Sequence, residues 1–230
     1  MLGWSVVYGC MIVGLAYYLG LQSRKLSIQF WTALWFFLFA GVGLIPILGE
    51  SEWSLLVASC LNQLSTSVYL LAAGFGKTPV PTPAVSQQIR WSFGSMGIGV
   101  GALAISSLTL TLLEYTGVQH QEQGLVTLML EGSSIEQGVA LLLIVGLAPL
   151  GEELLFRGVL QSNLTIHLGR TWAIVLTGIL FGLMHFESWT SVPPLIVFGM
   201  VLSWWRVHTG WMIFPVVGHF TNNALAMFFL

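Results

Sequence analysis

Long uninterrupted runs of apolar residues constrain this chain more than any other feature. They fall near 4–22, 28–48, 53–75, 92–113, 137–160, 171–187, 190–207 and 211–229, and about 20 apolar residues suffice to carry a helix across the hydrocarbon of a bilayer. Only 7% of the residues are charged, against roughly 25% in soluble domains, so the chain lacks the polar surface an aqueous fold needs. Nothing alternates with the period of two that marks a membrane barrel strand. The expectation is all-α, a polytopic membrane bundle of about eight transmembrane helices.

The connecting pieces QSRKLS, GESE, KTPVPTPAVSQQIR and YTGVQHQEQGLVTLMLEGSSIEQ leave no room for a soluble domain. The first run has neither a basic flank nor a small-residue cleavage site and reads as a retained helix. Cys10 and Cys60 both fall inside apolar runs, where cysteine behaves as a small hydrophobe. A net charge of -2 offers no basic excess that would point to nucleic acid. The partner that composition demands is the lipid bilayer, with the plasma membrane as the default location.

Lysine and arginine are retained on the cytoplasmic side of a membrane. Alternating eight spans from an outside N-terminus places Arg24 and Lys25, Lys77 and Arg90, Arg170, and Arg206 on that side. The acidic residues Glu50, Glu52, Glu114, Glu122, Glu131, Glu136 and Glu187 fall toward the other. Glu152, Glu153 and Arg157, in the stretch GEELLFRG, belong to neither set.

Each charge at the centre of a span costs about 2.5 to 3.5 kcal/mol, so something must compensate for three. Glu153 and Arg157 are four residues apart and share a helix face, whereas Glu152 points about 100° away. That geometry divides labour: one glutamate for the pair, the other for chemistry. A desolvated carboxylate without a close cation is suited to general-base work. Pro149 and Gly151 loosen the helix just upstream. The plain alternative is a structural Glu–Arg bridge.

Two later runs carry further polar groups. His185 follows Phe181 by four residues, and Asn223 follows His219 by four, so each pair shares a face. Taken singly, a histidine or asparagine in a membrane helix is a packing residue, and Phe181 is core. Together they matter more, because intramembrane ionisable groups face the bundle interior, and carboxylates and histidines in the last four runs are expected to converge on one polar cavity. The chain has no aspartate, no HExxH and no GxSxG, which removes paired-aspartate proteases, the usual zinc-protease helix and a serine nucleophile turn. A glutamate, two histidines and an amide remain, a set suited to activating water.

Glu152-Glu153-x-x-x-Arg157, Phe181-x-x-x-His185 and His219-x-x-x-Asn223, in that order, resemble the three motifs of the CPBP family. These are CAAX proteases and bacteriocin-processing enzymes, also called ABI or Rce1-like intramembrane proteases. The resemblance covers 137–230 as a catalytic core of helices 5 to 8 and leaves 1–136, helices 1 to 4, without a recognised motif. It implies an eight-helix intramembrane endopeptidase that cuts a protein or peptide, lipidated in CAAX processing, near the cytoplasmic face. Glu152 corresponds to the base that activates water, assisted by His185. His219 and Asn223 correspond to the pair that steadies the oxyanion, and Glu153, Arg157 and Phe181 to their support. A metal-free mechanism is favoured, with zinc on Glu152, His185 and His219 as the alternative. The competing reading is a membrane scaffold or bacteriocin-immunity protein that binds a partner without proteolysis.

The remaining features take bland readings. His120, His167 and His208 are solvated or interfacial. The sequon at Asn163 is discounted on its cytoplasmic side, and the ten tryptophans suit interface anchoring. Gly97 and Gly101 form a GxxxG expected to pack closely against another helix.

Overall fold

The computed structural model describes residues 52–72, 81–118 and 129–229, and every regular element among them is helical. In chain order these are α1 (Glu52–Ala72), α2 (Val85–Tyr115), α3 (Ser134–Leu142), a wide π-helical turn at Leu143–Leu147, α4 (Ala148–Glu153), a second π-helical turn at Leu154–Leu160, α5 (Gln161–Leu183), a short 3-10 turn at Phe186–Ser191, α6 (Val192–Thr209) and α7 (Ile213–Phe228). The two most N-terminal apolar runs, 4–22 and 28–48, lie outside the described residues. Each of the other six contains helix among its described residues.

The described residues form two compact units, 52–72 with 129–155, and 81–118 with 156–229. In the first, α1 packs on α3 and α4. Its apolar contact is made by Leu56, Ala140 and Leu143, fringed by Cys60, Val139, Ile144 and Leu147. α3 starts at Ser134, three residues before the apolar run begins, because Ser133 and Glu136 form a reciprocal capping box that satisfies two helix-end N–H groups.

Among the described residues, two helical stretches are long and apolar enough to cross a bilayer, Val85–Tyr115 and Ser134–Leu183. The part of the second that lies in the second unit is two runs of opposite direction. In the second unit, Arg157 donates to the Gly199 carbonyl and Gln161 to that of Ser203, so this run advances alongside α6. Beyond Gly169 the order inverts: a Cβ on Gly178 would meet Met200 N at 2.7 Å, and one on Gly182 would meet Ile196 N at 2.8 Å. The reversal happens at Gly169, whose φ of 79° and ψ of 168° belong to a region open essentially to glycine alone. The break between the fifth and sixth runs is therefore a single residue, and helix fills the interval up to it.

α2 touches its own unit along a narrow strip of small residues, Ser95, Gly99 and Ala102. A Cβ on Gly99 would lie 2.6 Å from the Gly218 carbonyl and 2.9 Å from Asn222 N, so α2 and α7 meet backbone to backbone, as membrane helices do at small residues. The expectation for Gly97 and Gly101 is corrected here: nothing among the described residues lies within 4 Å of a Cβ at either. Both sit off the contacting strip. The GxxxG that packs closely is Gly178 and Gly182, against α6 at Gly199 and Ile196.

One end of this unit gathers Arg90, Arg170 and Arg206. Trp91, next to Arg90, lies 6.4 Å edge-on from His208, which brings the start of α2 to the end of α6, where Arg206 occupies the last turn. Arg170 follows the Gly169 reversal on that side. His208 is exposed and stacks on Trp204 and Trp205, 5.3 Å from each, an interfacial arrangement.

Candidate active site

The first unit holds the two glutamates. Pro149 has no N–H to return to Val145, and the helix opens into a π-helical turn on either side of α4; such turns recur at functional places. Glu153 is fully buried, and Glu152 is half-buried. α1 faces this stretch with the seam Leu56, Cys60, Gln63, Ser67 and Leu70, whose 4-3-4-3 spacing keeps one side of a helix. A Cβ at Gly151 would collide with Gln63 Oε1 and lie 3.3 Å from Ser67 Oγ. Motif one is thus approached by polar atoms from a helix that matched no motif.

The second unit holds the rest. Arg157 is fully buried; its Nη2 donates to the Gly199 carbonyl at 3.0 Å, and its guanidinium carbon lies 4.7 Å from the centroid of the Phe181 ring. Four residues on, Gln161 Nε2 donates to the Ser203 carbonyl at 2.8 Å. The two bonds are successive rungs that lock this run to α6. Sequence reading gave Arg157 a glutamate; its contacts with α6 and Phe181 are what that reading missed.

Phe181 is the hub of this unit. Its ring is fully buried and lies 5.4 Å from Phe156, 5.2 Å from His185 and 5.5 Å from His219. Phe198 meets His219 at 5.4 Å with the rings perpendicular, the edge-to-face geometry aromatic quadrupoles favour. His185 follows the C-cap of α5, and its Nδ1 lies 3.0 Å from the Phe181 carbonyl. A carbonyl can only accept, so Nδ1 carries the hydrogen and Nε2 of the neutral ring bears the lone pair. His219 is 3% exposed, and Asn223 stands one turn further along α7. Asn222 Nδ2 donates to Asn223 Oδ1 at 3.1 Å, which fixes the acceptor end of that amide.

Arg157, Phe181, His185 and His219 thus share one cluster inside the second unit, with Asn223 a turn away. Glu152 and Glu153 lie in the first unit beside α1. Within the second unit, the described residues gather no group of three His, Cys, Asp or Glu side chains that would hold a metal. Asn163 is 2% exposed and donates to the Val159 carbonyl, a position closed to glycosylation.

Residues 134–225 match the family model for the type II CAAX prenyl endopeptidase, Rce1-like. The match takes in less than half of the chain and makes that segment similar to the Rce1-like family. All seven motif residues lie inside it, from Glu152 to Asn223. A relative from Escherichia coli, described as an uncharacterized 24.3 kDa protein, is 28% identical over 138 residues, 56% of this chain and 62% of the relative. The chain thus spans less than two thirds of the length of the curated relative it matches. No solved structure matches. The Rce1-like segment begins at the first residue of α3, so α1 and α2 fall outside the match although both pack within the units that carry it.

Sequence reading missed Gln63, Ser67, Phe156, Gln161, Phe198 and Ser203. A signal existed for the first two: SCLNQLSTS places six polar residues in the middle of an otherwise apolar run. Phe156 and Phe198 gave none, since phenylalanine in such a run is ordinary.

Proposed function

We propose that this chain is an intramembrane endopeptidase in which Glu152 activates the attacking water, acting on a protein or peptide near the cytoplasmic face of the membrane. The observation that carries the reading is the contact of one ring, Phe181, with both motif histidines inside the Rce1-like segment. Histidines that merely packed in separate helices would not need a common platform.

The chemistry follows from the groups. Glu152 takes a proton from water, and the oxygen attacks the scissile carbonyl carbon. His185, with its Nε2 lone pair, assists that transfer. The oxygen of the tetrahedral intermediate takes the negative charge and receives hydrogen bonds from His219 and Asn223, donors whose loss costs about 100- to 1000-fold in such sites. The proton on Glu152 then passes to the departing nitrogen as the C–N bond breaks. Arg157, tied to α6 and stacked on Phe181, keeps the platform fixed.

A metal-free site is favoured. Zinc would require a carboxylate beside two imidazoles, the imidazoles here being His185 and His219. Glu152 would have to supply the third ligand, and the zinc would supply the polarised water.

The test is a profile of new protein termini in cells lacking the protein and complemented with wild type or Glu152→Ala at equal membrane levels. Termini that depend on wild type support the protease and hand over candidate substrates, whether lipidated or not. Identical termini with both forms, and a phenotype restored by both, would replace it with a partner-binding scaffold.

A further inference from the structure

The seam of α1 is apolar at Leu56 and Cys60, polar at Gln63 and Ser67, and apolar again at Leu70. Leu56 and Cys60 belong to the contact with Ala140 and Leu143, and Leu70 is fully buried. The polar pair falls where α1 meets Gly151, the residue before Glu152. Ser67 is 2% exposed and Thr66 fully buried, yet Gln63 Oε1, Ser67 Oγ and Thr66 Oγ1 have no hydrogen-bond partner among the described residues.

Several helical hydroxyls elsewhere among the described residues are satisfied locally, although Thr177 Oγ1 and Ser203 Oγ are not. Thr109, Thr111, Thr165, Thr209 and Thr221 each donate to the carbonyl four residues back, and on α1 itself Ser65 donates to the Asn62 carbonyl. Ser67 and Thr66 do not take that route. A buried hydroxyl or amide left without a partner costs about 1 to 3 kcal/mol, so three in one turn and a half of helix require a polar guest. A small guest that both donates and accepts is water, which fills polar internal sites and makes about three hydrogen bonds there.

We propose that Gln63 and Ser67 hold the hydrolytic water beside motif one: Gln63 Oε1 accepts one of its protons, the Ser67 hydroxyl donates to its oxygen, and its second proton is left for Glu152. This rests on the endopeptidase reading. It gives α1, outside the Rce1-like segment, a direct part in the reaction. It also gives Gly151 a reason, since any Cβ there meets the Gln63 amide.

The experiment uses the full chain in lipid nanodiscs, as wild type, Gln63→Leu, Ser67→Ala and Gly151→Ala, each checked by thermal unfolding. Gly151→Ala displaces the end of a flexible side chain rather than backbone, so the fold survives it. The first readout does not depend on proteolysis: brief X-ray radiolysis in oxygen-labelled water, scoring label on the peptide that carries Leu150, Leu154 and Leu155. The proposal expects strong labelling in wild type and loss of it in all three variants. The second readout is kcat and KM on a peptide recovered from the termini profile, with kcat falling about 10- to 100-fold and KM unchanged. Gly151→Ala added to Gln63→Leu should cause no further loss. Labelling that persists in the variants overturns the proposal, as does lost labelling with an unchanged kcat. Label lost in the variants of a chain that cleaves nothing would keep the water site, overturn its role as nucleophile and bring down the endopeptidase reading separately.

Discussion

Arg157 and Phe181 stack, with the guanidinium carbon 4.7 Å from the ring centroid and the same guanidinium bound to the Gly199 carbonyl. A planar cation can face a ring and reach a carbonyl at once, whereas an ammonium is a point charge. Arg157→Lys is expected to lower stability by about 1.5 to 3 kcal/mol, the worth of a hydrogen bond to a charged group. Thermal or denaturant unfolding in a fixed detergent measures it, and an unchanged midpoint would contradict the anchoring role.

Phe181 serves both histidines at once. Phe181→Leu keeps most of the buried volume while removing the ring edge and face, so its effect should fall on geometry more than on folding. Peptide cleavage is expected to drop about 100-fold in kcat. Phe181→Ala adds a cavity costing about 3 to 5 kcal/mol. A Leu variant with wild-type kcat would reduce Phe181 to filler.

Glycines with the same spacing should behave oppositely. Gly178→Leu drives a side chain into the backbone of α6 at Met200 and is expected to destabilise by about 1 to 3 kcal/mol or more. Gly101→Leu meets nothing among the described residues and should stay within about 0.5 kcal/mol of wild type. Parallel unfolding curves of the two variants decide it.

Asn223→Ala should slow cleavage about 100- to 1000-fold with little change in KM, because an oxyanion donor acts only as charge develops. Asn223→Asp, which accepts but cannot donate when ionised, should be at least as slow. A variant that raised KM alone would place Asn223 in substrate binding instead.

Glu152→Gln is isosteric and cannot take a proton from water, so it should remove cleavage by about 100- to 10,000-fold with no change in unfolding. Exhaustive treatment with a zinc chelator should leave wild-type cleavage as it was. Activity lost to the chelator and recovered with zinc would move Glu152, His185 and His219 into a metal centre.

The sequence by itself determined the helical class, the placement of six helix-bearing apolar runs and the identity of the motif residues. Apolar run length and the spacing of charges are properties of the chain alone, and a bilayer admits few ways to satisfy a backbone. Spacing also put His219 and Asn223 on one face without any partner helix. Which helix faces meet was decided by tertiary structure. Gly97-x-x-x-Gly101 and Gly178-x-x-x-Gly182 are the same pattern in the sequence, and only the second finds a neighbour. Arg157 could be matched to a glutamate four residues away, but its hold on Gly199, 42 residues on, is a contact no local period encodes. The same holds for Gln63 and Ser67: their polarity was legible, but that they face Gly151 follows from the packing of α1 on α4, where close-packed side chains choose partners by shape across the chain.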